Sequence, residues 1–210
     1  MNYIEQMFDL QWQLNDHTNG GIWVDGITKE NRKISWYRCI YMEAAEAIDS
    51  FNWKHWKSIN TDPDWANIRV ELVDIWHFIM SESIRIKDEN YANKYLKLKP
   101  QGDFSAEVLI DTLEEMLSLS VASNIDPKIN NIRDITDLFF TAISQIDMGI
   151  GELYKRYVVR INSIHSGNST PIKIALTLSC GIPLRTMSLL LKSWMRTPVF
   201  LQVGSIKNSN

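Results

Sequence analysis

Four acids, Glu43, Glu46, Glu71 and Asp74, stand as two pairs that share an internal step of three residues. Residues three apart lie on one face of a helix, with about 5–6 Å between their Cβ atoms. Each pair is therefore a two-carboxylate claw. Two claws on neighbouring helices would gather four carboxylates, and like charges at that density do not all stay ionised without cations between them. Hard divalent cations with oxygen ligands, Mg²⁺ above all, suit such a site. An isolated acid pair on an exposed helix is ordinarily a solvated face. The neighbours argue otherwise here. Ile40, Ala44, Ala45, Ala47, Ile48 and Phe51 surround the first pair, and Ile68, Val70, Leu72, Val73, Ile75, Trp76 and Ile79 surround the second. A helix apolar almost all round is a buried helix, and a lone buried carboxylate is too costly to keep.

The elements that carry these claws are legible from pattern and punctuation. Residues 3–17 read as an amphipathic helix with Ile4, Phe8 and Leu14 near one stripe, followed by a Gly- and Asn-rich loop, HTNGGIWVDGITKENRK. Ser35 is a plausible N-cap for the helix of the first claw. Pro63, between Asp62 and Asp64, separates it from the helix of the second. Beyond a polar stretch ending in LKPQGDF, helical patterns run through SAEVLIDTLEEMLSLS and IRDITDLFFTAISQIDMGIGELYKRY, with no strand alternation. The expected fold class is all-α.

Bulk properties narrow the function. With 210 residues, 45% apolar and 22% charged, and a net charge of −3, the chain is long enough for a core and resembles neither a disordered segment nor a nucleic-acid binder. Cys39 and Cys180 provide no disulfide framework and no thiolate spacing for a metal, and Cys39 reads as a buried small hydrophobe. MNYIEQMFDLQWQLND lacks the basic start and apolar run of a signal peptide, and no stretch is long and apolar enough to span a membrane. A cytoplasmic location is expected, with no membrane or nucleic-acid partner.

LQWQLNDHTNG, then ISWYRCIYMEAAEAIDSFNWKHWK, then IRVELVDIWHF resembles the all-α dimeric dUTPases, within the MazG-like helical NTP pyrophosphohydrolases. The likeness is strong over residues 5–85 and extends weakly to about 158. The order of amide-bearing helix, E-x-x-E, W-K-x-W and E-x-x-D is what makes it specific. The resemblance implies a helical bundle, a homodimer, and hydrolysis of dUTP to dUMP and pyrophosphate on Mg²⁺; it leaves dUDP and dCTP open as further substrates. It implies Glu43, Glu46, Glu71 and Asp74 as metal ligands, with Glu43 also orienting or deprotonating the attacking water. Gln11 and Asn15, four apart on one helix face, would read the imide edge of uracil, where donors and acceptors alternate. Trp53 and His55 would stand beside the base or sugar, while Trp56 reads equally as a residue packed between helices. His77 reads as a satisfied core histidine rather than a residue that orients a metal ligand.

The likeness ends in the C-terminal part. All 25 acids precede Arg160, whereas Arg160, Lys173, Arg185, Lys192, Arg196 and Lys207 follow. A family motif there, roughly F-R-Q-x-N-G-Y-K-x-x-x-Y-x-K-x-W-N-G-x-E-D-N, supplies phosphate-binding groups and is missing. Codons permitted for His165 to Ser188, read one nucleotide earlier, spell F-R-Q-x-N-A-Y-K-D-R-T-Y-I-K-L-W-N-x-x-E-D-N. The expectation is a catalytic domain over 1–158 and an out-of-frame tail over 159–210. The alternative function is a catalytically impaired remnant, or a helical dimerisation module, that lacks the phosphate clamp.

Overall fold

The computed structural model describes residues 2–56, 62–101, 105–126, 128 and 130–165. By contacts the chain divides into two units, Met1–Ile164 and His165–Asn210. Six α-helices are described: α1 (Tyr3–Asn19), α2 (Trp36–Asp49), α3 (Trp65–Arg85), α4 (Ala106–Ile125), α5 (Ile132–Gln145) and α6 (Ile150–His165). Short 3₁₀ turns follow α1 at Trp23–Asp25 and α3 at Glu89–Tyr95. Among the described residues there is no strand, only an isolated bridge between Ile27 and Lys33. The architecture is all-α, as the patterns predicted.

Local chemistry sets the helix ends. Asn2 and Glu5 form a reciprocal capping box at α1. That helix runs two residues past its expected end. It stops at Gly20, whose φ of 82° and N–H bond to the Asp16 carbonyl close the last turn. A side chain on Gly20 would bring its Cβ within 2.9 Å of the Lys29 Cβ. Ser35 Oγ accepts from the Arg38 N–H at 3.2 Å and Asp64 Oδ1 from the Asn67 N–H at 3.0 Å, so both expected caps are in place. The C-terminal helical pattern breaks at Asp147, which turns the chain at φ 58° between α5 and α6.

Helix α3 is the axis of the bundle. It packs against α1, α2 and α5, and Ile68, Leu72, Ile75, Trp76, Ile79 and Met80 are fully buried. Trp76 stacks on Phe139 of α5 at 5.0 Å, with the edges of Phe140 and Phe8 at 5.2 and 5.8 Å. Rings of this size dominate core energetics, so one tryptophan ties α1, α3 and α5 together.

Helices α2 and α3 run antiparallel. Trp36, at the start of α2, stacks on Phe78 late in α3 (6.0 Å), whereas Ser50, just past the end of α2, accepts from Asn67 at the start of α3 (2.9 Å). A register that sets 36 against 78 and 50 against 67 sets 43 against 71. The claws therefore meet near the middle of the hairpin.

The boundary expected at 158 falls inside α6, which continues to His165 with Ile161 fully buried. The expected tail from residue 166 onward, with Lys173, Cys180 and Arg185, lies outside the described residues.

Candidate metal centre

Carboxylate oxygens of Glu43, Glu46 and Glu71 all lie within 4.8 Å of one another. The three differ in exposure: Glu71 is buried, Glu43 half-buried and Glu46 open to solvent. Ala44 and Ala47 of α2 are fully buried, as are Ile40, Ile68 and Leu72 close in sequence to the acids. Asn67 Nδ2 donates to Glu71 Oε1 at 2.9 Å and fixes that carboxylate. Glu43 is pushed up to about 8, first by burial, then by its hydrogen bond to Glu71 and by the charges of Asp74, Glu46 and Glu71. Burial also raises Glu71, against the hydrogen bonds from Glu43 and Asn67 that favour its ionised form. Glu43 thus carries a proton near neutral pH and donates it to Glu71. A proton is doing what a cation would do, holding mutually repelling oxygens together. The donor set is all hard oxygen and fits Mg²⁺.

Asp74 takes a different partner. The Arg160 guanidinium grips both its oxygens, Nε to Oδ1 at 2.8 Å and a terminal nitrogen to Oδ2 at 2.5 Å. Asp74 is buried, while the Arg160 side chain stays 41% exposed. Of the four acids named from sequence, the structure thus gathers three at one point and holds the fourth beside them in an ion pair. Sequence reasoning missed Arg160 because it fell within the expected tail. The signal was there: Leu153, Tyr157 and Ile161 recur at steps of four, so the apolar stripe of α6 crosses the place where acids cease.

Gln11 and Asn15 share a face of α1, and both amides are buried. Gln11 Nε2 donates to Asn15 Oδ1 (3.0 Å) and Ser81 Oγ (3.1 Å), and Asn15 Nδ2 to Ser81 Oγ (2.9 Å). Gln11 Oε1 accepts from Tyr157 Oη (3.1 Å) and lies 2.7 Å from His77 Nδ1. The polar edge that the resemblance assigns to base reading is thus bonded to protein groups, and a base would have to exchange with them. His77 is held down to about 3 by burial and by Arg160, and is neutral. With Nδ1 donating to Gln11, its buried Nε2 has no hydrogen-bond partner among the described residues, so the expected core histidine is only half satisfied there.

Trp53 and Trp56 are 46% and 63% exposed and meet edge to face at 5.6 Å, with the His55 ring 4.9 Å from Trp56. Trp56 does not pack between helices. Lys54 lies over the Trp53 ring at 5.3 Å and pairs with Asp49. Cys39 is half-buried, one turn before Glu43, and its thiol is raised by burial and by Glu43. No helix among the described residues is long and apolar enough to cross a membrane.

The chain matches the dUTPase family model over residues 3–166. No curated protein matches it.

Proposed function

The chain belongs to the dUTPase family, and from that premise we propose that it hydrolyses dUTP to dUMP and pyrophosphate with Mg²⁺ held by Glu43, Glu46, Glu71 and Asp74. What supports this reading is the convergence of three carboxylates from two helices within 4.8 Å, in a chain matched to this family over most of its length. Bound there, Mg²⁺ supplies charge neutralisation along the triphosphate and eases the deprotonation of water. Glu71, fixed by Asn67, is the rigid member of the set, and Glu46 faces the solvent from which substrate arrives. Glu43, once a cation has replaced the proton it holds in the metal-free cluster, would orient the attacking water and accept its proton. Gln11 and Asn15 read the uracil edge by exchanging their present partners for the base, and Trp53 and His55 form an aromatic wall beside the base or sugar. The active chain in this reading is a cytoplasmic homodimer.

The direct test is dUTP hydrolysis with Mg²⁺ by the chain and by Glu71→Gln, which keeps the shape but removes the fixed charge. Loss of about 10²-fold or more in kcat is expected when a group that holds transition-state charge is removed. Unchanged turnover in Glu71→Gln would exclude the cluster as the reaction centre.

A further inference from the structure

Arg160 sits where a metal site with four carboxylates would need Asp74 free. Its fork occupies both Asp74 oxygens from α6, and its charge is felt by Glu71 and Glu43 as well. A bidentate guanidinium–carboxylate pair is among the strongest neutral-pH contacts a side chain makes, and here the carboxylate is buried, so the pair does not dissolve into solvent. Each Asp74 oxygen keeps a second lone pair, so a cation that reaches Asp74 from the side of the fork competes with one arm of the guanidinium for it. The displaced guanidinium does not leave the neighbourhood. It stays tethered on α6, partly exposed, beside the cluster at which the phosphate chain of the substrate would bind. Planar guanidinium matches phosphate as well as it matches carboxylate.

We infer that Arg160 is an exchangeable partner of Asp74: it neutralises that acid while the metal is absent, and it moves to the triphosphate once metal holds Asp74. The inference rests on the proposed dUTP reading of the same site. The exchange sets two effects of opposite sign on one residue. Arg160 hinders the metal alone and helps the metal together with nucleotide. A residue that only props up the fold would weaken both.

The experiment is calorimetric titration of the full 210-residue chain, as wild type, Arg160→Lys and Arg160→Gln, first with Mg²⁺ alone. A second titration uses a dUTP analogue with an imido bridge between the α and β phosphorus atoms, in saturating Mg²⁺. Arg160→Gln should bind Mg²⁺ about tenfold more tightly, the scale of one charge-assisted hydrogen bond no longer broken. Arg160→Lys keeps the charge but grips one oxygen only, so it should fall between the two and be the better-folded control. Both variants should bind the analogue several-fold more weakly than wild type. Arg160→Lys and wild type binding Mg²⁺ equally would overturn the competition, since charge alone would then explain any effect of Arg160→Gln. Tighter Mg²⁺ but unchanged analogue binding would overturn the move to phosphate. A wild-type chain that binds no Mg²⁺ overturns this inference and the metal reading together, whereas one that binds Mg²⁺ and hydrolyses dUTP while Arg160→Lys behaves as wild type sinks the exchange alone.

Discussion

At Glu43 the cost of crowding carboxylates becomes measurable as pH dependence. Its proton affinity lies far above the ordinary 4.5 of a glutamate, up to about 8, because burial and its acidic neighbours disfavour the ionised form. A folded-state value raised above the unfolded one gives stability that is complete below the unfolded value and is lost as pH rises through the folded value. His77 works in the opposite sense: it is neutral when folded, so its contribution is complete above 6.5 and is lost as pH falls toward 3. Between pH 6.5 and 8 the Glu43 effect changes while that of His77 does not, and the metal-free chain should lose stability there. With the exposed half of Glu43 discounted for screening, the loss is about 1 kcal/mol, or about 2–4 °C in Tm. Mg²⁺ should reverse it, because a cation replaces the proton. Thermal melts at pH 6.5 and 8, with and without Mg²⁺, check this; a Tm that is flat with pH and insensitive to Mg²⁺ would contradict it. At the same scale, Asn15→Ala should relax the choice of uracil over cytosine in kcat/KM more than it weakens Mg²⁺ binding, since a site built to pair polar edges loses discrimination when one partner goes. Equal losses for every nucleotide would count against that role.

Among the elements, α1, α3 and α6 are joined by a polar pin inside an otherwise apolar bundle. Tyr157 is fully buried and its hydroxyl shares its one proton between the Met7 carbonyl at 3.0 Å and Gln11 Oε1 at 3.1 Å, while its ring lies 4.5 Å from that of His77. Burial holds the phenol well above its usual range, so it stays a donor. Tyr157→Phe should cost about 0.5–1.5 kcal/mol in urea unfolding, because it removes a buried hydrogen bond while the ring still fits and the acceptors keep other partners. If the variant were as stable as the parent, the pin would be redundant with apolar packing. The helices that carry the claws were readable in advance because their signals are local: Ser35 and Asp64 as caps, apolar residues at helical spacing, Pro63 between them. The extent of α6 was not, because a change in charge composition at Arg160 looked like a boundary while the apolar stripe through Ile161 ran on.

For the whole molecule, catalytic rate depends on what neutralises the phosphate chain beyond the metal. The resemblance implies a C-terminal phosphate-binding motif that the sequence does not spell, and Lys173 and Arg185, the cations that would have to stand in for it, lie outside the described residues. A chain with the reading frame restored after Val158, which also replaces Arg160, should therefore turn over dUTP at least about tenfold faster in kcat/KM, with Mg²⁺ binding at the acid cluster retained. Equal rates would mean that the motif is dispensable and that Arg160 or another cation already serves the phosphates. Sequencing the coding DNA gives an independent check, since codons incompatible with the Y-K, W-N and E-D-N steps would remove the frameshift reading.

By itself the sequence determined that the chain is helical, where α2 and α3 begin, and that each presents a pair of acids three residues apart. These follow from interactions spanning one or two turns, which any stretch of chain carries within itself. The tertiary structure decided which partner each side chain takes. Glu43 meets Glu71 because Trp36 on Phe78 and Ser50 on Asn67 fix an antiparallel register. Asp74 meets Arg160 from 86 residues away, and Gln11 meets Tyr157 from 146 away. Neither pairing leaves a periodic trace, because it depends on how α6 lies against α1 and α3, and that is set by the shape of the packed core rather than by spacing along the chain.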